Sequence, residues 1–385
     1  MRHSRLAACL AVLCAAISVP SASAVAVGTS GAAGLRATAT TTISPAQKAF
    51  DAMTDAQRVG QLLMIGCSST TVSSGCLSAI TTRHIGAVIL DGNSHLSIAQ
   101  EHAITATLQR RAPAHVKLFV ATDQEGGLVR RMRGPGFTDY STALVQGRWY
   151  TSWLQYWATT WGKQLKGAGI NLNLAPVLDT VPAGDTNNPP IGDLDREYGH
   201  TPSLVSTQGT AVLRGLAAGG VDATAKHFPG LGRVTRNTDT TAGVKDSTTT
   251  TTDSYLRPFA AAVKAHVPFV MMSTAIYTRI DAKNPAAFSR TVVTALLRGT
   301  LGFRGVVISD DLGAARQVAS YSVGSRAWRF IAAGGDMVLT VNATQAGTMT
   351  SAILARMKAD AGFKKQVAAA VLTVLKAKQA RGLLG

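Results

Sequence analysis

Metal-binding motifs are missing from this sequence. No H-E-x-x-H or C-x-x-C spacing occurs, and the eight histidines do not cluster, so no metal site is expected. Acidic residues are scarce: 21 Asp and Glu stand against 38 Lys and Arg, a formal net charge of +17. That excess either serves solubility alone or invites an anionic partner, such as a bacterial wall polymer or a membrane surface. The cations are scattered and no basic block is interleaved with aromatics, so no nucleic-acid module is expected. The apolar run Leu6 to Val19 is too short to span a bilayer as a stable helix. Cysteine is limited to four positions, and nothing in the sequence specifies an oligomeric state.

The short apolar run fits the core of a secretory signal. Arg2 and Arg5 precede it, and Ala22-Ser23-Ala24 follows as a small-residue cleavage site. Residues 1–24 are therefore expected to be a signal peptide, with the protein secreted, extracellular or associated with the cell wall. Leu6-Ala7-Ala8-Cys9 looks like a lipidation box but sits too early, so simple export ranks above a lipoprotein. Residues 25–43, rich in Ala, Thr, Gly and Ser, read as a flexible linker. Cys9 and Cys14 leave with the signal. Cys67 and Cys76 remain as an even pair in an oxidising compartment, which favours a disulfide over two free buried thiols.

The rest, 44–385, reads as one domain. Apolar residues make up 46% and charged residues 15%, which suits a packed core. Ser44 is an N-cap candidate for a helix over Ala46–Ala52, and Thr54 for one over Asp55–Gln61. Eight strand-like runs follow: Leu62–Gly66, Ala87–Leu90, Leu118–Asp123, Asn171–Ala175, Ala223–His227, Phe269–Ser273, Val306–Ser309 and Met337–Thr340. Helical patterns lie between them, among them Ser152–Ala168, Leu204–Ala218, Tyr255–Ala265, Thr291–Leu301 and Val323–Ala333, with a terminal helix over Phe363–Leu384. Continuous Val/Ile/Leu runs alternating with helices fit a parallel sheet covered on both faces. Several runs end in polar groups. The fold class expected is α/β, a (β/α)8 TIM barrel, with those groups at the active face.

The stretch Thr224 to Gly232 shows this best, because an apolar run stops at Lys226 and His227 and Pro229, Gly230 and Gly232 break it. Neighbouring side chains on a strand face opposite ways. Both reach a ligand only if the strand twists or ends there; otherwise one packs against the next strand. Asp123 and Glu125 in Asp123-Gln124-Glu125-Gly126-Gly127 can grip sugar hydroxyls, or form an acidic turn before a helix. Arg196 can offer its fork to hydroxyls or an acetamido carbonyl, or pair at the surface with Asp193 or Asp195. Gly305 to Leu312 is the sharpest feature: an apolar strand ends in Asp310 and Asp311. A buried carboxylate is costly without partners, and one here can attack an anomeric carbon. Asp311 can also cap a helix.

On these residues the chain resembles glycoside hydrolase family 3, in its single-domain bacterial β-N-acetylhexosaminidase branch. The matching stretches are Val59–Gly66, Asp123–Gly127, Gly169–Asp179, Lys226–Gly230, Leu301–Leu312 and Gly334–Leu339. The resemblance implies a TIM barrel that removes terminal β-linked N-acetylglucosamine without metal or cofactor, from a carbohydrate substrate derived from peptidoglycan. It gives sugar-binding roles to Asp123, Arg196, Lys226 and His227, and the nucleophile to Asp310. In that branch the loop after LysHisPheProGly carries an Asp-x-His dyad whose histidine is the acid/base. Here those places hold Asn237 and Asp239, Leu231 and Thr274 stand where histidines are usual, and no histidine lies between His227 and His266. Asp239 is then the titratable group for the catalytic acid/base. Burial or the charge of Asp310 would raise its pKa, and Arg233 and Arg236 would lower it if they approach. The competing expectation is a sugar- or wall-binding barrel that keeps the pocket without turnover.

Overall fold

Continuous apolar runs become strands buried on both faces. In the computed structural model, which describes residues 43–113 and 115–385, eight parallel strands pair in chain order and close on themselves. They are β1 (Leu63–Ser68), β2 (Ala87–Asp91), β3 (Phe119–Thr122), β4 (Leu172–Asn173), β5 (Asp222–Phe228), β6 (Phe269–Met272), β7 (Val306–Asp311) and β8 (Met337–Thr340). Closure is made by β1 against β8, with Leu63 opposite Val338 and Ile65 opposite Thr340. This is the (β/α)8 barrel expected from the sequence. The proposed signal, and the linker as far as residue 42, lie outside the described residues, as do Cys9 and Cys14. Among the described residues no helix is long and apolar enough to cross a membrane.

Helix ends follow local chemistry. Ser44 accepts from Gln47 N at 3.2 Å, with Pro45 opening the helix Pro45–Ala52. Thr54 and Gln57 cap each other in a reciprocal box at the start of Asp55–Gly60. Two elements depart from expectation. Strand β4 spans two residues, not five, and Pro176, which has no N–H to donate, follows three residues on. Pairing resumes beyond it, where Leu178 N donates to Lys226 O at 2.7 Å. Thr291–Thr300 winds as a π-helix. Its buried residues Val292, Val293, Leu296 and Leu297 lie on one face in either winding, so the apolar pattern does not distinguish the two.

One buried charge shows how far tertiary packing departs from propensity. Lys378, in the terminal helix Ala361–Ala380, is fully buried. Its Nζ donates to Gln61 Oε1 at 2.6 Å, and burial pushes its ammonium down to about 7.

Cys67 in β1 is bonded to Cys76 in the helix Ser74–Arg83, with Cα atoms 5.8 Å apart. In the chain-entropy picture a loop this short contributes about 2–3 kcal/mol. We expect both thiols to resist alkylation until a reductant is added, and Cys67→Ser with Cys76→Ser to lower the unfolding free energy by that amount. Peptide mass spectrometry and urea unfolding check the two outcomes. Alkylation of the unreduced protein would refute the bond.

Candidate active site

The ends of β3, β5 and β7 and the chain after β4 meet around a cavity of about 250 Å³. Asp123, Arg196, Lys226, His227, Asp239 and Asp310 all line it. These are the six residues singled out from the sequence, and the barrel brings them together from five separate segments.

Strand β5 supplies two of them against strict alternation. It pairs with β6 at Ala225 opposite Val270 and again at Phe228 opposite Met272, so one residue on β5 is extra. A bulge of this kind re-aims side chains, and Lys226 and His227 both face the cavity. The Lys226–His227 peptide is cis. Gly230 then turns the chain at φ 133°, a conformation that L side chains rarely adopt.

Lys226 Nζ lies 2.6 Å from Asp123 Oδ1 and 2.7 Å from Glu125 Oε1. Arg196 forks onto Glu125 with bonds of 2.9 and 2.8 Å, and donates to Pro190 O at 2.7 Å. The surface pair with Asp193 or Asp195 weighed for Arg196 is therefore not formed; both of those aspartates are exposed. The acidic turn before a helix is not formed either. Gln124–Gly126 pairs antiparallel with Val129–Arg130 and sends Glu125 inward. Burial alone would raise the Glu125 carboxyl. The charges and hydrogen bonds of Arg196 and Lys226 outweigh it and hold Glu125 far below the usual carboxylate range. Burial tends to lower the Lys226 ammonium, but Asp123 and Glu125 raise it above its ordinary value. Glu125, Arg196 and Lys226 thus stay charged at neutral pH, with Asp123 and Lys226 at the cavity wall and Glu125 behind them.

Glu125→Gln should cost about 3 kcal/mol, because two buried cations lose their shared anion. For a chain of this size that corresponds to a Tm lower by roughly 4 °C. A carboxyl held low stabilises fully at neutral pH, and the contribution is lost only as pH falls through the depressed value. The difference between parent and variant should therefore persist from pH 8 to pH 5; calorimetry at both values checks this.

Asp179, the last residue of the matching stretch Gly169–Asp179, has no role assigned from the sequence. It is fully buried. Its Oδ2 lies 2.7 Å from His227 Nδ1, and its Oδ1 accepts from His227 N at 3.2 Å and Leu231 N at 2.8 Å. With Nδ1 bound to Asp179, Nε2 is the ring nitrogen left for the cavity. The available signal was an aspartate ending the apolar run Ala175–Leu178. Arg131 and Asn237 also line the cavity and were not assigned roles.

Asp310 ends the apolar part of β7. Burial raises its carboxyl, the nearby Asp239 charge raises it further, and His227, Lys226 and the Asp311 N–H oppose the rise. That N–H reaches Asp310 Oδ1 at 2.8 Å. Asp311 is occupied differently: it accepts from the backbone N–H groups of Gly313, Ala314 and Val341 at 2.8, 3.1 and 3.2 Å. It is a turn-holding carboxylate.

Asp239 stands exposed at the mouth. Its surroundings still remove enough water to raise its carboxyl, Asp311 and Asp123 add to the rise, and His227 and Arg196 pull against it. Arg233, one of the two cations expected to depress it, instead pairs with Asp253 at 2.7 Å and lies 3.5 Å over the Tyr255 ring. The loop carrying Asp239 is folded onto the segment after β7. Arg316 N donates to Asp239 O and Gln317 N to Thr238 O, each at 3.0 Å. Asn237 Oδ1 accepts from Asp239 N at 2.8 Å. Among the described residues no group of three or more His, Cys, Asp or Glu is placed to hold a metal ion.

This arrangement can hold hydroxyls with a charged network while two carboxyl groups of raised pKa face the same space. The pair suits covalent attack and proton transfer at an acetal carbon. Residues 54–377 match the family model described as the glycosyl hydrolase family 3 N terminal domain. The chain is 31% identical over 308 residues to a beta-hexosaminidase of Xylella fastidiosa, covering 77% of this chain and 88% of the relative. A crystal structure of a beta-N-acetylhexosaminidase from Beutenbergia cavernae superposes with a TM-score of 0.84 at 47% identity, over 85% of this chain and 99% of that one. A family 3 beta-N-acetylglucosaminidase from a Paenibacillus species superposes at 0.79 with 31% identity, over 86% of this chain and 63% of that one. With the closed barrel and the carboxylate-bearing cavity at its strand ends, these matches establish that the chain belongs to glycoside hydrolase family 3 and is a glycosidase that hydrolyses O-glycosyl bonds.

Proposed function

We propose that this enzyme removes terminal β-linked N-acetylglucosamine with retention of anomeric configuration, using Asp310 as nucleophile and Asp239 as acid/base. The observation that carries this reading is the meeting of Asp310 and Asp239 in one cavity, each raising or raised by nearby carboxylate charge. In the first step an Asp310 oxygen bonds to the anomeric carbon. The glycosidic C–O bond breaks, and Asp239 gives its proton to the departing oxygen. In the second step Asp239 takes a proton from water, whose oxygen attacks the anomeric carbon and frees Asp310. Asp123, Lys226, His227 and Arg196 hold the sugar's hydroxyl and acetamido groups. A cavity of about 250 Å³ lies below the usual range of ~300–1,000 Å³ for small-molecule sites, which favours one terminal ring over a longer chain. The names of the relatives support N-acetylhexosamine as that ring.

Export fits the same reading. A Cys67–Cys76 bond persists in an oxidising compartment, and the net charge of +15 left after removal of Arg2 and Arg5 with the signal (17 − 2) suits attraction to anionic wall polymers. The substrate would then be glycan released from the cell wall. Incubation with an aryl N-acetylglucosaminide, beside calorimetry with N-acetylglucosamine, tests the function. Release of the aryl alcohol is expected. Binding of the sugar without any turnover would instead support a sugar-binding barrel.

A further inference from the structure

Four of the five tryptophans in this chain, Trp149, Trp153, Trp157 and Trp161, recur at intervals of four residues. Three lie in the helix Thr151–Gly167. A four-residue step advances a little more than one helical turn, so the row drifts around the helix. Trp161 is buried, Trp157 is half-buried and Trp153 is 51% exposed. Tyr150 and Tyr156, at 87% and 60% exposure, stand beside Trp153 in sequence. The Trp153 and Tyr156 rings are nearly parallel, 17° apart with centroids separated by 5.7 Å, and Trp157 meets both edge-on. No contact of the catalytic cavity uses these rings.

The platform is mounted on the walls of the active site. Trp161 stacks on Tyr140 at 3.8 Å, and the Tyr140 hydroxyl donates to Gln124 O at 2.8 Å, next to Glu125. Gln146 Nε2 donates to Glu125 O at 3.1 Å, and Trp149 N donates to Gln146 O. The helix follows β3 and starts at the end of the barrel where the cavity opens.

We propose that Tyr150, Trp153, Tyr156 and Trp157 form a second carbohydrate site, a stacking platform beside the mouth for a polymeric β-linked N-acetylglucosamine chain. The proposal rests on the reading of N-acetylglucosamine as substrate. Aromatic faces meet the apolar faces of sugar rings, while hydroxyls need hydrogen-bonding groups at the ring edges. Thr151, Ser152 and Gln155 are polar groups of the same helix, which carries no acidic residue. A second protein chain fits less well. The three exposed rings present roughly 400 Å², about half of what each partner of a stable pair covers, ~800 Å².

The test is retention on insoluble chitin, read in an Asp310→Ala background so that turnover plays no part. Trp153→Ala with Tyr156→Ala should weaken retention by about tenfold or more, at roughly one aromatic contact per ring lost. Trp153→Phe should keep most of it. In the otherwise wild-type enzyme the same double substitution should leave kcat/KM on a small aryl N-acetylglucosaminide within twofold. Unchanged retention overturns the platform. So does loss of retention accompanied by loss of a dimer in sedimentation velocity, or by loss of binding to anionic vesicles, since either makes the patch a surface for another occupant. If aryl glycoside turnover is absent but chitin retention depends on the rings, the proposed activity fails and the platform stands.

Discussion

Asp310→Ala is expected to lower kcat on an activated aryl N-acetylglucosaminide on the order of 10⁴-fold or more, as removal of a catalytic nucleophile does elsewhere. Position is the reason. Asp310 is the first polar carboxylate after the buried run Val306–Ile308, and it lines the cavity. It has one backbone N–H as partner, from Asp311, so an oxygen remains free for an anomeric carbon. Asp311 serves as the control. It holds three backbone N–H groups, and Asp311→Ala should cost about 1–3 kcal/mol of stability with a much smaller loss of kcat. Steady-state kinetics beside urea unfolding separates the two. If Asp310→Ala keeps a near-normal rate on the activated substrate, the assignment is wrong.

The second large effect belongs to Asp239. Asp239→Ala should slow substrates with poor leaving groups by about 10²–10⁴-fold, the range of a general acid, and activated aryl glycosides far less, because they leave without protonation. Azide should restore part of the rate by attacking the glycosyl–Asp310 bond without needing a base. The pH profile gives an independent reading. Turnover needs Asp310 ionised and Asp239 protonated, so kcat/KM should be bell-shaped, and the two limbs belong to the pair. Both carboxyls are raised, and the Asp239 charge is one cause of the rise at Asp310. Removing Asp239 should abolish the alkaline limb and leave the acidic limb nearly in place, because Asp239 is protonated and uncharged over the range in which Asp310 ionises. Equal slowing of all substrates would exclude Asp239 as the acid/base. His227, oriented by Asp179, also faces the cavity.

Much of the architecture is local and can be read along the chain. Each apolar run of four to six residues bounded by polar or breaking residues forms a strand, because burial on both faces selects such runs. The caps at Ser44 and Thr54 follow from side chains that satisfy the first free N–H groups of a helix. Asp310 is legible for the same reason, since an acidic group at the end of a buried strand has one sheltered place to go. Strand β4 was less legible: only Leu172 and Asn173 pair regularly, while Leu174, Ala175 and Pro176 keep single backbone bonds to the neighbouring strands.

Who pairs with whom was decided by the barrel. Asp123 and Lys226 are 103 residues apart in the chain, Glu125 and Arg196 are 71 apart, and Asp179 and His227 are 48 apart. Nothing in their local spacing distinguishes Glu125 from Asp193 or Asp195 as the partner of Arg196. Closure of eight parallel strands carries their polar ends to one rim, where burial makes an unpaired charge costly and selects the partner within reach. The extra residue in β5, which turns Lys226 and His227 toward the same cavity, likewise depends on the strand beside it. The sequence by itself determined which apolar runs are buried and where they end in polar tips; the tertiary structure alone decided the partners of those tips, because a Coulomb or hydrogen-bond contact depends on distance in space and not on separation along the chain.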